Sequence, residues 1–188
     1  MKIMIASDIH GSALYCRKLL DAFEREDADK LLLLGDILYH GPRNDFPDDY
    51  ETRQVAEMLN GIKDDIICVR GNCDAEVDQM VLDFPIMADY CMLFSGDHTV
   101  FATHGHIYNT EDIPPIGKGD VLLHGHTHVP AWEPFGDDNY YLNPGSVSLP
   151  KDSTPRGYMI MTDEGDDDFI WKTLDGEVYH TLTLTRNY

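Results

Sequence analysis

Six of the nine histidines stand at positions 10, 104, 106, 124, 126 and 128, and each lies just past an apolar run. Imidazoles gathered at the ends of buried strands suit metal ligation or proton transfer. Asp8-Ile9-His10 follows the run KIMIA at 2–6. In an extended chain residues i and i+2 point to the same side, so a carboxylate oxygen and an imidazole nitrogen converge on one ion. Taken alone, that pair is also a common chance spacing. Gly35-Asp36 follows KLLLL at 30–34. The glycine permits close backbone approach, and the carboxylate has two oxygens, enough to bridge two metals. Alone, the same aspartate would as readily cap a helix or open a turn. Arg70-Gly71-Asn72-Cys73-Asp74 follows DIICV at 65–69. Asn72 can offer its amide oxygen to a metal or hold a left-handed turn. Thr103-His104-Gly105-His106 follows 99–102, and His124-Gly125-His126-Thr127-His128 follows DVLL at 120–123. A single histidine is usually a packed or surface residue. Three alternating at i, i+2 and i+4 after a buried strand favour ligation. Taken together, D-x-H, G-D, G-N-C-D, H-G-H and G-H-x-H would otherwise require five independent coincidences of ligand type and place.

The elements that must position these residues follow from the hydrophobic pattern. Residues 2–6, 30–34 and 65–69 are apolar runs of strand length. Between them, 11–26 has the 3.6-residue period of a helix, with Ser12 as N-cap and Ala13, Cys16, Leu19, Leu20 and Phe23 on one face. Residues 51–60 are also helical, after a polar, proline-rich loop at 41–50. This β-α-β-α-β order predicts a parallel or mixed sheet with helices on its faces. The second half is strand-rich, with strands expected at 89–94, 98–103, 120–124, 131–135, 139–143, 157–162, 168–173 and 177–185. At most one short helix is expected, near 74–81. Gly96-Asp97, Gly136-Asp137-Asp138 and Asp175-Gly176 supply turn signals. The acidic run DEGDDD at 163–168 fits a solvated turn and lacks the ligand spacing of a calcium loop. The simplest union is one α/β domain over residues 1–188, with two sheets packed together.

Composition narrows the partners. The 188 residues carry 14 Lys+Arg against 34 Asp+Glu, a formal charge of −20. Such a chain repels a nucleic-acid backbone and an anionic membrane surface alike. A hydrophobic content of 43% still argues for a packed globule rather than a disordered acidic chain. An anionic substrate must therefore be met by something positive outside the composition sum, such as a metal. Cys16, Cys68, Cys73 and Cys91 form no CxxC pair and suit a reducing compartment. The start MKIMIASDIHG lacks the character of a signal peptide, and no run approaches the ~18 apolar residues of a membrane span. The expected location is the cytoplasm.

The order of the five blocks resembles the calcineurin-like metallophosphoesterase family. Asn143-Pro144-Gly145-Ser146 and the size of the chain point to its small YfcE-like phosphodiesterase branch. The likeness runs from Asp8 to about Lys151. It implies a four-layer α-β-β-α sandwich of two packed mixed sheets with a two-metal site at the strand ends. On that resemblance Asp8, His10 and His128 hold one divalent ion, Asn72, His104 and His126 hold a second, and Asp36 bridges them. Mixed Asp/His/Asn ligands without thiolate suit transition metals better than Ca²⁺ or Mg²⁺. Mn²⁺ is the expected ion, with Fe, Co, Ni or Zn as alternatives. Two such ions about 3.5–4 Å apart clamp a phosphoryl group and activate a bridging water. The expected reaction is hydrolysis of a small phosphodiester without a covalent enzyme intermediate.

The resemblance also places Asn72, Asp74 and His106 around the reacting group. Many family members carry a histidine after the Asn of the third block; here it is Cys73, as in the YfcE-like branch. A thiol is a weak donor, so His106 stands either as the leaving-group acid or as a rim histidine. Arg70 is either a phosphate contact or a surface ion pair. His124 is a supporting or plain strand residue, and Asn143 to Ser146 either line the site or form a structural turn. The loops at 41–50 and 107–116 are expected to shape access. A homo-oligomer of unspecified order is implied as well. The rival functions are a phosphomonoesterase or nucleotidase with the same metals, and a non-catalytic protein-binding scaffold like the retromer subunit of this superfamily.

Overall fold

The computed structural model describes residues 1–136 and 138–184. Asp137 of the predicted turn and Thr185 at the end of the last predicted strand lie outside the described residues. Eleven strands form two sheets. Strands β1 (Lys2–Ala6), β2 (Lys30–Leu33) and β3 (Ile66–Cys68) run parallel. Helix α1 (Ala13–Glu26) lies between β1 and β2 in the chain, and α2 (Thr52–Asn60) between β2 and β3. Ser12 caps α1 by accepting from the Tyr15 N–H, as its sequence position predicts. Strands β4 (Tyr90–Ser95), β5 (His98–Thr103), β6 (Val121–His124), β7 (Ala131–Phe135) and β8 (Asn139–Asn143) make the second sheet. Its order is β4-β5-β6-β8-β7, with β5, β6 and β8 parallel. Strands β9 (Gly157–Thr162), β10 (Phe169–Thr173) and β11 (Val178–Leu182) return to the first sheet. Its order is β11-β10-β9-β1-β2-β3. The predicted short helix near 74–81 is a single 3₁₀ turn, Asp78–Met80.

The strands of the first sheet read as unbroken apolar runs because both faces are buried. Met4 and Ala6 of β1 and Leu31 and Leu33 of β2 face the two helices. Ile3, Ile5 and Leu32 face the second sheet, against Val100, Ala102, Val121, Leu123 and Leu142. Alternation along a strand allows one sequence to serve both cores. The expected architecture of two packed mixed sheets is thus present, with both α-helices in the core on the first sheet. On the outer face of the second sheet Tyr108 packs edge-on to Phe101 and Tyr90. The segment 163–168 links β9 to β10, as the turn reading expects.

Glu26, at the end of α1, ties the helix to three strands. Its carboxylate accepts from Lys172 Nζ at 2.7 and 2.9 Å, Tyr158 Oη at 2.7 Å and Lys2 Nζ at 3.2 Å. Burial raises its pKa, but those partners outweigh burial and the net shift is downward. Removing the carboxylate strands two part-buried ammonium groups. We expect Glu26→Ala to cost about 3 kcal/mol in urea unfolding at pH 7. A depressed carboxyl contributes its full stability above the unfolded value of 4.5 and loses it as pH falls through the lower folded value. The gap between wild type and variant should therefore close in acid.

Candidate metal centre

The carboxyl ends of the parallel strands of both sheets meet at one place. Asp8 and His10 follow β1, Asp36 follows β2 and Asn72 follows β3. His104 follows β5, and His126 and His128 follow β6. All seven side chains converge there. In one half, His128 Nε2 stands 3.2 Å from Asp8 Oδ1 and 3.2 Å from His10 Nε2. In the other, His104 Nε2 stands 3.0 Å from Asn72 Oδ1 and 3.1 Å from His126 Nδ1. Asp36 Oδ2 lies between the halves, 3.6 Å from His10 Nε2 and 3.5 Å from His104 Nε2.

The protons on three of these rings are fixed by their outer partners. His10 Nδ1 faces the Tyr39 carbonyl at 2.8 Å, His104 Nδ1 the Leu34 carbonyl at 2.7 Å and His128 Nδ1 the Leu149 carbonyl at 2.6 Å. A carbonyl only accepts, so Nδ1 carries the hydrogen and a neutral ring leaves Nε2 bare. Bare nitrogens then face each other, a carboxylate and an amide oxygen across about 3 Å. Asp8 Oδ1 is buried and accepts no hydrogen bond. Such an arrangement repels itself unless positive charge sits inside it. A proton is one such charge. Burial lowers the His104 pKa, but bonding and charge from Asp36 and Asp8 outweigh it and raise it to about 9. One proton satisfies one pair of acceptors, whereas a divalent cation satisfies three or four. The donor set therefore fits divalent metal, with carboxylate, imidazole and amide donors and no thiolate.

The backbone is bent to make this possible. Asp8, His10, Asp36, His126 and His128 have φ of 59°, 50°, 55°, 66° and 63°. They are half of the ten described non-glycine residues at positive φ, so the strain concentrates here. Each such residue costs roughly 1–2 kcal/mol. Fixed donors hold the far oxygen of each carboxylate and leave the near one for the metal. Asp8 Oδ2 accepts from Ser7 Oγ at 2.6 Å and the His126 N–H at 3.1 Å. Asp36 Oδ1 accepts from the Cys73 N–H at 2.8 Å. Two glycines permit the approach. A Cβ on Gly71 would overlap the Asp36 carboxylate, and one on Gly125 would overlap Ser7 Oγ.

The remaining expected residues take distinct places. Asp74 is buried, and its two oxygens accept from the backbone N–H groups of Asp36, Ile37 and Gly71 at 2.9, 2.9 and 2.7 Å. It positions the Asp36 turn. His106 packs its ring against His104, with centroids 5.4 Å apart, and its Nδ1 is buried without a partner. His124 stacks on Tyr141 and lies outside the centre. Burial first, and the Asp36 charge second, push the Cys73 thiol up. Asn143 forms a turn that also steadies the ligand loop, donating to the Gly125 carbonyl and Thr127 Oγ1. Ser146 and Ser148 Oγ both donate to the Asp8 carbonyl. Ser7 and Ser148 were not singled out in the sequence, and Ser146 only as part of the Asn143–Ser146 segment, because serine carries no signal until its neighbours in space are known. A cavity of about 790 Å³ opens beside the centre, lined by Asp36, Asn72, Cys73, His126 and His128 and by Tyr39, Arg43, Arg70 and Lys151. Residues 41–44 wall it as expected. The segment 107–116 does not wall it, and instead sends Tyr108 to the outer sheet face.

Residues 1–166 match the family model of the calcineurin-like phosphoesterase superfamily domain. The chain belongs to that superfamily. It is 45% identical over 164 residues to phosphodiesterase YfcE of Escherichia coli K12, covering 87% of this chain and 89% of that one. The solved structure of the E. coli YfcE phosphoesterase superposes with a TM-score of 0.91 at 41% identity, covering 98% of this chain and 100% of that one. A probable metallophosphoesterase of Bacillus subtilis, YsnB, is 27% identical over 177 residues, covering 88% of this chain and 86% of that one.

We expect Gly71→Ala and Gly125→Ala each to destabilise the fold by about 1–3 kcal/mol in urea unfolding. Thermal melts should show Mn²⁺ raising the Tm of the wild type, and raising that of either variant less.

Proposed function

We propose that the chain is a phosphodiesterase working with two divalent cations, Mn²⁺ first among them. Asp8, His10 and His128 hold one, Asn72, His104 and His126 the other, and Asp36 joins them. The observation that carries this reading is the near-equal reach of Asp36 Oδ2 to the two halves, 3.6 Å to His10 Nε2 and 3.5 Å to His104 Nε2. When bound, such a pair supplies a clamp on the phosphoryl oxygens and a water acidic enough to attack phosphorus near neutral pH. The chain's own part is to hold its donors still. Asp74 fixes the turn that carries Asp36. Ser7 and the His126 N–H set the rotation of the Asp8 carboxylate. Burial pushes the Cys73 thiol up, which disfavours it as a nucleophile and suits direct hydrolysis. For the leaving group the chain offers Cys73, a weak donor, and His106, packed against His104. Neither is a strong acid in place, so diesters of acidic alcohols or phenols are the expected substrates.

The whole chain forms one domain in this reading, and long polyanions are excluded as substrates by its surface charge. Four free cysteines suit the cytoplasm. None of the described helices is long and apolar enough to cross a membrane. Tyr90, Met92 and Phe94 expose one face of the edge strand β4, which suits a homo-oligomer.

The test is hydrolysis of bis-p-nitrophenyl phosphate with Mn²⁺, beside p-nitrophenyl phosphate. We expect faster turnover of the diester. Faster turnover of the monoester would make the chain a phosphomonoesterase instead. Asp36→Ala should lower diester turnover by at least about 100-fold with an unchanged circular dichroism spectrum. Retained activity would remove Asp36 from the bridging role.

A further inference from the structure

Two cations of the cavity have no task in the reaction described above. Arg43 and Lys151 both line the cavity beside the metal centre. Neither side chain forms an ion pair among the described residues, although the chain carries 34 acidic residues against 14 Lys+Arg. The two carboxylates in the cavity wall are already engaged. Asp74 accepts three backbone N–H bonds, and Asp36 faces His10 and His104.

Both cations stand on fixed backbone. The Lys151 N–H donates to the carbonyl of His128 at 3.2 Å, and the Lys151 carbonyl accepts from Thr154 N and Oγ1. Arg43 sits between Gly41, where an added Cβ would lie 3.0 Å from Cys73 Sγ, and Asn44, whose side chain donates to the His40 carbonyl at 2.8 Å. The His40 ring in turn stacks on Phe46, with centroids 4.3 Å apart. Arg70 adds a third positive group, with its Nε committed to the Asp74 carbonyl at 3.3 Å. Resting on the phosphodiesterase reading, the charge balance is simple. A plain phosphodiester brings one negative charge, and the centre itself takes it. Arg43 and Lys151 then still face the cavity with no carboxylate partner of their own among the described residues, so a further negative group on a substrate would meet positive charge there.

We propose that Arg43 and Lys151 form a second anion site beside the reacting phosphoryl group. The substrate class is a phosphodiester with one arm that ends in a further negative group, phosphate or carboxylate. Arg43 presents a planar fork that suits either group, and Lys151 adds a point charge.

The experiment uses three p-nitrophenyl alkyl phosphodiesters with chains ending in a methyl, a carboxylate or a phosphate. All three share one reacting group and one leaving group, so the ratio of kcat/KM isolates the chain end. With the wild type and Mn²⁺ we expect one or both anionic ends to raise kcat/KM about tenfold over the methyl end, as one charge-assisted contact would. The preference should fall as salt is raised. A larger effect of phosphate than of carboxylate names phosphate as the second group; equal effects name any small anion. Arg43→Ala and Lys151→Ala should each cut the preference at least about threefold, and the double variant should bring the ratio to about one. Arg43→Lys should keep part of it. A wild-type ratio near one for both anionic ends, with the methyl ester turned over, overturns the second site alone. No turnover of any of the three or of bis-p-nitrophenyl phosphate overturns the phosphodiesterase reading, and the second site with it. Unchanged ratios in well-folded Ala variants assign the preference elsewhere and overturn the roles of these two residues.

Discussion

Seven side chains are brought within about 3–4 Å of their neighbours with lone pairs turned towards one another, and the rest of the molecule is arranged around that repulsion. His10 Nε2 faces His128 Nε2 at 3.2 Å, and neither carries a proton when both rings are neutral. Asp8 Oδ1 faces the same two nitrogens from a buried position without a donor of its own. Desolvated acceptors left this way are costly. Such a cluster persists only because the chain around it holds the acceptors in place and a cation of matching preference makes the contact favourable. The outward hydrogen bonds of His10, His104 and His128 each go to a main-chain carbonyl. That choice fixes the tautomer and the ring plane together.

The holding is done by backbone more than by side-chain packing. Strand ends carry the ligands because a strand stops moving laterally where its ladder is anchored, yet its next residues are free to turn. Five of the ligands turn into the left-handed region at once. The strain is tolerated because each turn is bonded to another strand's turn. The Asp8 N–H donates to the Gly35 carbonyl and the His10 N–H to the Asp36 carbonyl. Asp74 gathers the N–H groups of Asp36, Ile37 and Gly71. The two sheets are locked at the same level, where the Trp171 indole N–H of β10 donates to the Asn143 carbonyl at the end of β8. Fold and site are thus one structure at the carboxyl edges of the sheets, consistent with where α/β folds place their ligands.

What could be read from the chain follows from which information is local. Apolar runs of four to six residues ending in Asp, Asn or His carry both the strand and the candidate ligand in one short segment, so the convergence of these side chains was legible. Ser12 and the periodicity of 13–26 gave α1 for the same reason. Asp74 and Ser146 reach their partners across 38 and 138 residues, to the Asp36 N–H and the Asp8 carbonyl. No spacing rule reports such pairs. Positive φ at His126 and His128 was equally hidden, since alternation at i and i+2 suggests an extended segment and the ligands here lie on successive tight turns.

The charge of −20 acquires a different meaning beside the positive lining of one cavity. Salt at physiological strength screens exposed charges beyond about 8 Å. The acidic surface therefore acts on long chains that must lie along it, and acts weakly on a small molecule already inside the cavity. Inside, Arg43, Arg70 and Lys151 stand with the metal ligands, so positive groups are gathered there that the global sum hides. An anion that fits the cavity is attracted at contact distance, whereas a polyanion pays the repulsion of every acidic residue it passes. The same two scales of charge are what would let electrostatics favour small anions over long ones.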